Sequence, residues 1–117
     1  MKENDFSEFE KIIGVDFKDK TTLRQSFTHR SYLNENRGIK GGHNERLEFL
    51  GDAVLELVIT HYLFDKYPEK NEGDLTSVRS ALVNAQTCAQ VATDIRVNDF
   101  LLLSRGEAKD TGRARQY

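Results

Sequence analysis

Residues 43–55 read His-Asn-Glu-Arg-Leu-Glu-Phe-Leu-Gly-Asp-Ala-Val-Leu, and this stretch decides the fold that we expect for the 117-residue chain. Together with the residues after it, the stretch places apolar side chains at helical spacing and predicts one long helix over residues 44–66. Asn44 is the expected N-cap of this helix, which ends before Tyr67-Pro68. The predicted helix is apolar nearly all round, which is typical of a helix in the middle of a domain.

Four carboxylates interrupt this apolar helix. At about 100° per residue they fall within an arc of about 80°, and they are Glu45, Glu48, Asp52 and Glu56. Carboxylates buried without partners are costly. A divalent cation shared by Glu48 and Asp52, one turn apart, would remove that cost. Gly51 costs about 1 kcal/mol in a helix interior, and it leaves space beside Asp52 for a metal, a phosphate or a close partner helix. A solvated acidic face explains the spacing equally well, so both explanations stay open at this point.

The rest of the chain also predicts helices, because Pro occurs once and alternating β-branched residues are scarce. Glycine-rich residues 34–42 and the polar residues from 104 onward are expected to be loops. Gly14 should end the first helix, and Asp74 is the expected N-cap of a later one. The predicted class is all-α, with further helices at about 5–13, 19–29, 74–95 and 97–103.

Composition indicates a small domain with one core. Hydrophobic residues make up 38% of the chain, enough for one core of this length. The single Cys88 suits a reducing compartment and is expected to be a core thiol. The charged N-terminal residues do not resemble a signal peptide, and no apolar run approaches the roughly 20 residues that span a bilayer. We therefore expect a cytoplasmic protein without a membrane partner.

The charge balance excludes a protein that coats nucleic acid through charge alone, since the formal net charge is −2. Basic residues nevertheless gather on both sides of the acidic stretch. Either group could contact phosphates, and either could be ordinary solvated surface. The two groups are Lys18, Lys20, Arg24, His29, Arg30, Arg37 and Lys40 upstream, and Arg105, Lys109, Arg113 and Arg115 downstream.

The segment from Asn44 to Asp52 resembles the signature of the ribonuclease III family. Residues 23–32, 72–84 and 106–113 resemble the segments that flank this signature, so the resemblance covers about residues 8–115. It implies an all-α ribonuclease III endonuclease domain, which is a helical bundle. The implied activity is that of a Mg²⁺-dependent hydrolase, an endoribonuclease that cleaves double-stranded RNA to 5′-phosphate and 3′-hydroxyl ends during RNA processing, in rRNA or mRNA maturation or decay.

The same resemblance implies that Glu48 and Asp52 are catalytic and ligate Mg²⁺, for which Mn²⁺ can substitute. Mg²⁺ is usually held by a few carboxylates, several waters and substrate phosphate oxygens. The bound metal would lower the pKa of the attacking water and offset charge on the leaving 3′ oxygen. No residue is assigned to RNA binding.

Other positions of the signature have implied roles with alternatives. Glu45 and Glu72 match acids near the substrate or the outer metal shell, although Glu72 also fits an acid at a helix start, favoured by the helix dipole. Phe49 matches an aromatic residue that inserts into the partner subunit of a homodimer, and the alternative is an ordinary core Phe. Arg46 is expected as a charge partner of the acids, and His43 as a turn or cap residue.

The family's nuclease domain continues into a further helix that supplies a second Asp and a second Glu. We therefore expect residues 1–117 to be a partial endonuclease domain that is incomplete for catalysis, with a loop-like tail at 104–117 and no double-stranded-RNA-binding domain. A homodimer, or a larger or swapped assembly, is expected. The alternative is a non-catalytic RNA-binding or dimerisation module on the same fold, and a third is an unrelated helical protein that binds divalent ions.

Overall fold

The computed structural model describes residues 6–38 and 41–109, and this part of the chain is helical. Within it, Thr28 and Leu102 form an isolated parallel bridge, and no strand is present. The predicted all-α class is confirmed. The helices are α1 (Ser7–Ile13), α2 (Lys20–Ser26), α3 (Arg30–Glu35), α4 (Glu45–Lys66), α5 (Glu72–Leu82), α6 (Ala85–Asp94), a 3₁₀ turn (Val97–Asp99) and α7 (Arg105–Lys109). Among the described helices, none has the length and apolar character that crossing a membrane requires.

The core is an aromatic cluster between α1, α2 and the segment after α6. The ring centroids of Phe6 and Phe27 lie 5.1 Å apart in a stacked arrangement, and the ring of Phe9 meets Phe27 edge-on at 4.8 Å. Phe100 contacts the same rings, and Leu23 is buried beside them. Such aromatic pairs stabilise beyond the area that they bury. Leu23 and Phe27, one helical turn apart in the sequence, are thus both part of this core.

Single residues explain the boundaries of the first three helices. Gly14 adopts the left-handed conformation, with φ of 71°, directly after α1, as expected of a C-terminal glycine. The second helix is shorter than predicted, because α2 ends at Ser26 and α3 starts at Arg30. His29 makes this break, since its Nδ1 accepts a hydrogen bond from the backbone amide of Ser31 at 3.2 Å. Residues 39 and 40 of the predicted loop lie outside the described residues.

The predicted helix over 74–95 is wrong, because the structure has two helices there. Asn84 separates them: its side chain donates to the carbonyl oxygens of Ser80 and Ala81 and accepts from the amide of Thr87 at 2.8 Å. Asn side chains favour such caps over helix interiors. The N-cap of α5 is Asn71 rather than Asp74.

The expectation of a buried central helix is also wrong for this chain. Leu63 is the one buried residue of α4, whereas Phe49 is 84% exposed. The helix packs against α5, where Arg79 donates a 3.0 Å hydrogen bond to the hydroxyl of Thr60. A helix that is apolar all round can therefore lie at a surface of this chain when few other elements of the chain pack against it.

Three smaller expectations differ from the structure as well. Cys88 is exposed on α6 and is not a core thiol. Residues 105–109 form the short helix α7 instead of a loop, and its first amide donates to the carboxylate of Glu35 at 3.1 Å. The predicted 97–103 helix is limited to the 3₁₀ turn. The remaining tail, residues 110–117, lies outside the described part of the chain.

Candidate functional site

The first two turns of α4 line an open depression, which we call the acidic depression. It is lined by Glu45, Glu48, Phe49 and Asp52. Three of the predicted acids therefore come together, with Phe49 beside them. All three carboxylates are exposed, so no burial penalty has to be offset by a cation in this chain. What the arrangement provides is a concentration of negative charge on a surface that solvent and a large ligand can reach.

The beginning of α4 is held by hydrogen bonds to the end of α2. The amide of Asn44 donates to the carbonyl oxygen of Thr28 at 2.9 Å, and the side-chain amide of Asn44 donates to the carbonyl oxygen of Ser26 at 3.2 Å. Asn44 occupies the predicted N-cap position, but its side chain caps no helix amide. The ring of His43 accepts from the amide of Glu45 instead, at 3.4 Å, which fits the turn or cap role expected for His43.

The residues that follow α2 also form backbone hydrogen bonds with Leu102. The amide of Leu102 donates to the carbonyl oxygen of Phe27 at 2.8 Å, and the amide of His29 donates back to Leu102 at 2.9 Å. Thr28 between them is 3% exposed, and its hydroxyl donates to the carbonyl oxygen of Arg24. Residues 27–29 therefore connect the aromatic core with the first turn of α4, so the core fixes the position of the acidic depression.

A guanidinium reaches the acidic depression from α3. Arg30 Nη2 lies 2.8 Å from Glu45 Oε1, with both side chains more than half exposed. Arg46 was expected as the charge partner of the acids, but the arginine paired with Glu45 is Arg30. Sequence reasoning missed this pair because the two residues lie on different helices, where helical spacing carries no information. The sequence offered two signals: Arg30 belongs to the upstream basic group, and it lies within residues 23–32, which resemble a segment of the family.

Glu72 is placed apart from the other acids. It lies in the first turn of α5, directly after the N-cap residue Asn71, and it does not line the acidic depression. A carboxylate at this position interacts favourably with the positive end of the helix dipole. The structure therefore accounts for Glu72 as an acid at a helix start.

The donor chemistry of the acidic depression fits a hard divalent cation, because carboxylate oxygens are the ligands that Mg²⁺ prefers. Within residues 6–38 and 41–109, however, no three His, Cys, Asp or Glu side chains converge closely enough to hold an ion. Glu48 and Asp52 supply a partial ligand set, which suits Mg²⁺ since this ion usually retains several waters. A Cβ added at Gly51 would meet nothing within 4 Å, so the surface beside Asp52 is open.

Phe49 is exposed in this chain, as are most of the large apolar side chains that follow it on α4. A core Phe is buried, yet Phe49 is 84% exposed at the edge of the acidic depression. Large contiguous patches of exposed apolar side chains mark interaction sites, whereas single exposed apolar residues are common. In this chain, the ring of Phe49 is therefore available to a partner.

Comparison with known proteins places the chain among ribonucleases. Residues 19–117 match a family model described as Ribonuclease-III-like. The chain is 52% identical over 103 residues to Ribonuclease 3 of Streptococcus gordonii, which covers 88% of this chain and 44% of the relative. It is 50% identical over 110 residues to Ribonuclease 3 of Streptococcus mutans, covering 91% of this chain and 48% of the relative. The chain thus spans less than half the length of these curated relatives.

Two solved structures share the fold. Both are structures of the nuclease domain of ribonuclease III from Campylobacter jejuni, and one of them concerns structural flexibility in a region involved in dimer formation. The first has a TM-score of 0.81 at 40% identity and covers 97% of this chain and 73% of the solved chain. The second has a TM-score of 0.80 at 39% identity, with 98% and 73% covered.

Proposed function

The chain belongs to the ribonuclease III family, and from this membership and the geometry at the start of α4 we propose that it contributes to a Mg²⁺-dependent endoribonuclease site for double-stranded RNA. The observation that carries the proposal is that Glu48 and Asp52, one helical turn apart, line one open acidic depression. The chemistry is hydrolysis of a phosphodiester bond, leaving 5′-phosphate and 3′-hydroxyl ends. Mn²⁺ is expected to substitute for Mg²⁺.

The residues of the chain have distinct tasks in this proposal. Glu48 and Asp52 hold the cation through their carboxylates, and Glu45 adds negative charge that Arg30 partly offsets. When bound, the cation supplies an activated water and stabilises charge on the leaving oxygen. Without a cation, the acidic depression would repel the RNA phosphates. Its openness suits a duplex, which is recognised through shape, phosphates and 2′-hydroxyls.

The proposal includes a homodimer. Dimer formation is named for the Campylobacter jejuni nuclease domain, and here the exposed ring of Phe49 lies beside the acids where a second subunit could receive it. Two sites related by a two-fold axis would cut the two strands of one duplex. A larger or swapped assembly is the other expected form. The proposal also places the protein in the cytoplasm, in maturation or decay of rRNA or mRNA.

The 117 residues alone are expected to cleave slowly, because two carboxylates form a small ligand set and residues 110–117 add a single acid, Asp110. The test therefore uses a chimera that joins residues 1–117 to the part of the Campylobacter jejuni nuclease domain outside the match. This chimera should cleave end-labelled double-stranded RNA in Mg²⁺, and Asp52→Asn should abolish cleavage. Glu56→Gln, one turn beyond Asp52 and also exposed, is the matched control and should retain activity.

Metal binding can be measured on the 117-residue chain itself. Calorimetric titration with Mn²⁺ should give weak binding that Glu48→Gln and Asp52→Asn each remove and that Glu56→Gln retains. If the parent chain binds Mn²⁺ with measurable heat and Glu48→Gln and Asp52→Asn give the same heat, the assignment is wrong. A chimera that binds duplex RNA without cutting it would instead support a non-catalytic RNA-binding module. This module is the second candidate function, because no three possible metal ligands converge within the described residues.

A further inference from the structure

The hydroxyl of Ser31 connects two parts of the chain that lie far apart in the sequence. Its oxygen accepts a hydrogen bond from the amide of Ser104 at 2.9 Å, and it lies 2.7 Å from Nδ1 of His29. This Nδ1 also accepts the amide of Ser31 at 3.2 Å. Because it therefore carries no hydrogen, the hydroxyl is the donor in the contact with His29. Ser31 thus accepts from one segment and donates to another.

Ser104 belongs to the segment that leads into α7. Its own hydroxyl accepts the amide of Glu107 at 3.2 Å. Two residues earlier, the carbonyl oxygen of Leu102 accepts the amide of His29 at 2.9 Å, and the side chain of Leu102 is buried in the aromatic core. The bond to Ser31 therefore extends the attachment of this segment from the core to α3.

The turn between α2 and α3 contacts two segments in alternation. The carbonyl oxygen of Thr28 accepts the amide of Asn44 at 2.9 Å, and the guanidinium of Arg30 lies 2.8 Å from the carboxylate of Glu45. Residues 26, 28 and 30 thus bond to residues 44 and 45, whereas residues 27, 29 and 31 bond to residues 102 and 104. A change on one side of the turn is therefore expected to reach the other side.

From this alternation we propose that Ser31 is a positioning residue of the acidic depression. Its hydroxyl fixes the ring of His29 and holds the turn against Ser104, so that Arg30 stays paired with Glu45 at the start of α4. Ser31 acts through these neighbours and not by touching a metal or RNA. The consequence for RNA cleavage rests on the proposed function, whereas the coupling between the two sides of the turn does not.

Replacement of Ser31 by alanine removes one acceptor and one donor at once. The amide of Ser104 and Nδ1 of His29 each lose a partner, and both residues are half-buried. Polar groups left unpaired away from water are costly, and the turn relieves this cost by opening to water more often. Such local opening should also break the bond between the amide of Asn44 and Thr28.

The first test measures amide hydrogen exchange by NMR on the 117-residue chain without metal. In Ser31→Ala the amide of Asn44 should exchange about tenfold faster, the scale of one lost hydrogen bond. Ser31→Thr keeps the hydroxyl and should restore the parent rate. Asn84→Ala removes a cap between α5 and α6, so it is the matched control for lowered stability and should leave this rate unchanged. Ser31→Cys, whose thiol bonds weakly, is a second variant and should give an intermediate rate.

The second test asks whether Ser31 acts through Arg30. Ser31→Ala should tighten Mn²⁺ binding in calorimetry by about two- to fivefold, as loss of an exposed ion pair would, because the charge of Glu45 is then less offset. The double variant Arg30→Gln/Ser31→Ala should bind no more tightly than Arg30→Gln alone, since both changes remove the same pair. A merely structural hydroxyl would lower stability without this dependence on Arg30.

Three results would overturn the proposal. The first is unchanged exchange of the Asn44 amide in a folded Ser31→Ala chain. The second is equal acceleration in Asn84→Ala, because the effect would then be one of global stability. The third is additive effects of Ser31→Ala and Arg30→Gln on Mn²⁺ affinity. If the parent chain binds no Mn²⁺, the proposed metal site is wrong, and the exchange rates still decide the role of Ser31.

Discussion

The guanidinium of Arg30, at the start of α3, lies 2.8 Å from a carboxylate oxygen of Glu45, the first residue of α4. This ion pair places a positive charge at the edge of the surface that Glu48 and Asp52 share. Exposed pairs of this kind contribute modestly to stability, about 0–1 kcal/mol. Its main effect is therefore expected on the charge of the acidic depression and not on the stability of the fold.

Replacement of Arg30 by glutamine should tighten Mn²⁺ binding to the 117-residue chain by about two- to fivefold, the scale of an exposed ion pair. The reason is that the full charge of Glu45 then adds to the field of Glu48 and Asp52. The gain should shrink as salt is added, since exposed charges are screened. Isothermal titration calorimetry at low and high ionic strength measures both effects.

Arg96 offers the matched control for that experiment. Its guanidinium also forms an exposed ion pair, 2.7 Å from Asp99, but it lies after α6 and does not line the acidic depression. Arg96→Gln should leave the Mn²⁺ affinity unchanged. If both variants change the affinity equally, the effect is one of net charge and the local role of Arg30 is wrong.

Asn84 gives a prediction about stability. Its side chain ends α5 through hydrogen bonds of 3.1 Å to the carbonyl oxygens of Ser80 and Ala81, and it begins α6 through the amide of Thr87. Asn84→Ala removes an N-cap and should lower the free energy of unfolding by about 1 kcal/mol. Urea denaturation measures this loss. Gln86→Ala, at an exposed position in the first turn of α6, should change stability by less than about 0.5 kcal/mol; an equal loss in both variants would contradict the capping role.

The helix at Glu45–Lys66 could be predicted from the sequence because periodicity, an N-terminal polar residue and a following proline agreed there. The break at Asn84 could not, because apolar spacing continues from α5 into α6 and the decisive hydrogen bonds are short-range and specific. The surface position of α4 was also missed. Apolar character around a whole helix predicts burial, but it does not say whether this chain itself supplies the covering elements.

The candidate site, like the fold, was predicted from the sequence only in part. Helical spacing was enough to bring Glu45, Glu48 and Asp52 together, since residues three and four apart share a face. The contribution of Arg30 depends on how α3 is placed by the hydrogen bonds of residues 27–29 to Leu102. That placement is a tertiary arrangement, and no spacing in the sequence encodes it.

Asp19 makes the stability of α2 depend on pH. The hydroxyl and the amide of Thr22 donate to its carboxylate at 2.7 and 3.0 Å, and these bonds lower the pKa of Asp19 below its ordinary value. The folded state therefore favours the charged carboxylate. Its contribution to stability is complete above the ordinary pKa of an aspartate, about 3.9, and is lost as the pH falls through the lowered pKa of the folded state.

Asp19→Ala should accordingly lower the melting temperature at neutral pH and have a diminishing effect below about pH 4. Thr22→Val removes the largest cause of the shift, so it should return the pKa of Asp19 toward its ordinary value in an NMR titration of the carboxyl carbon. A melting-temperature difference for Asp19→Ala that stays constant down to acidic pH would show that the carboxylate does not cap α2.

Phe49 tests the assembly. Its ring is 84% exposed beside the acids, and insertion into a partner subunit would bury it completely. Phe49→Ala should then weaken the homodimer by about 3 kcal/mol, which is the usual scale for an aromatic side chain removed from a packed site and corresponds to a dissociation constant raised by more than about a hundredfold. Sedimentation velocity across a range of protein concentrations measures the change. Leu82→Ala, which truncates an exposed apolar residue on α5, is the matched control and should leave the dimer intact. A parent chain that stays monomeric and helical at high concentration would contradict the homodimer. A Phe49→Ala variant that associates as the parent does would place the interface elsewhere on the molecule.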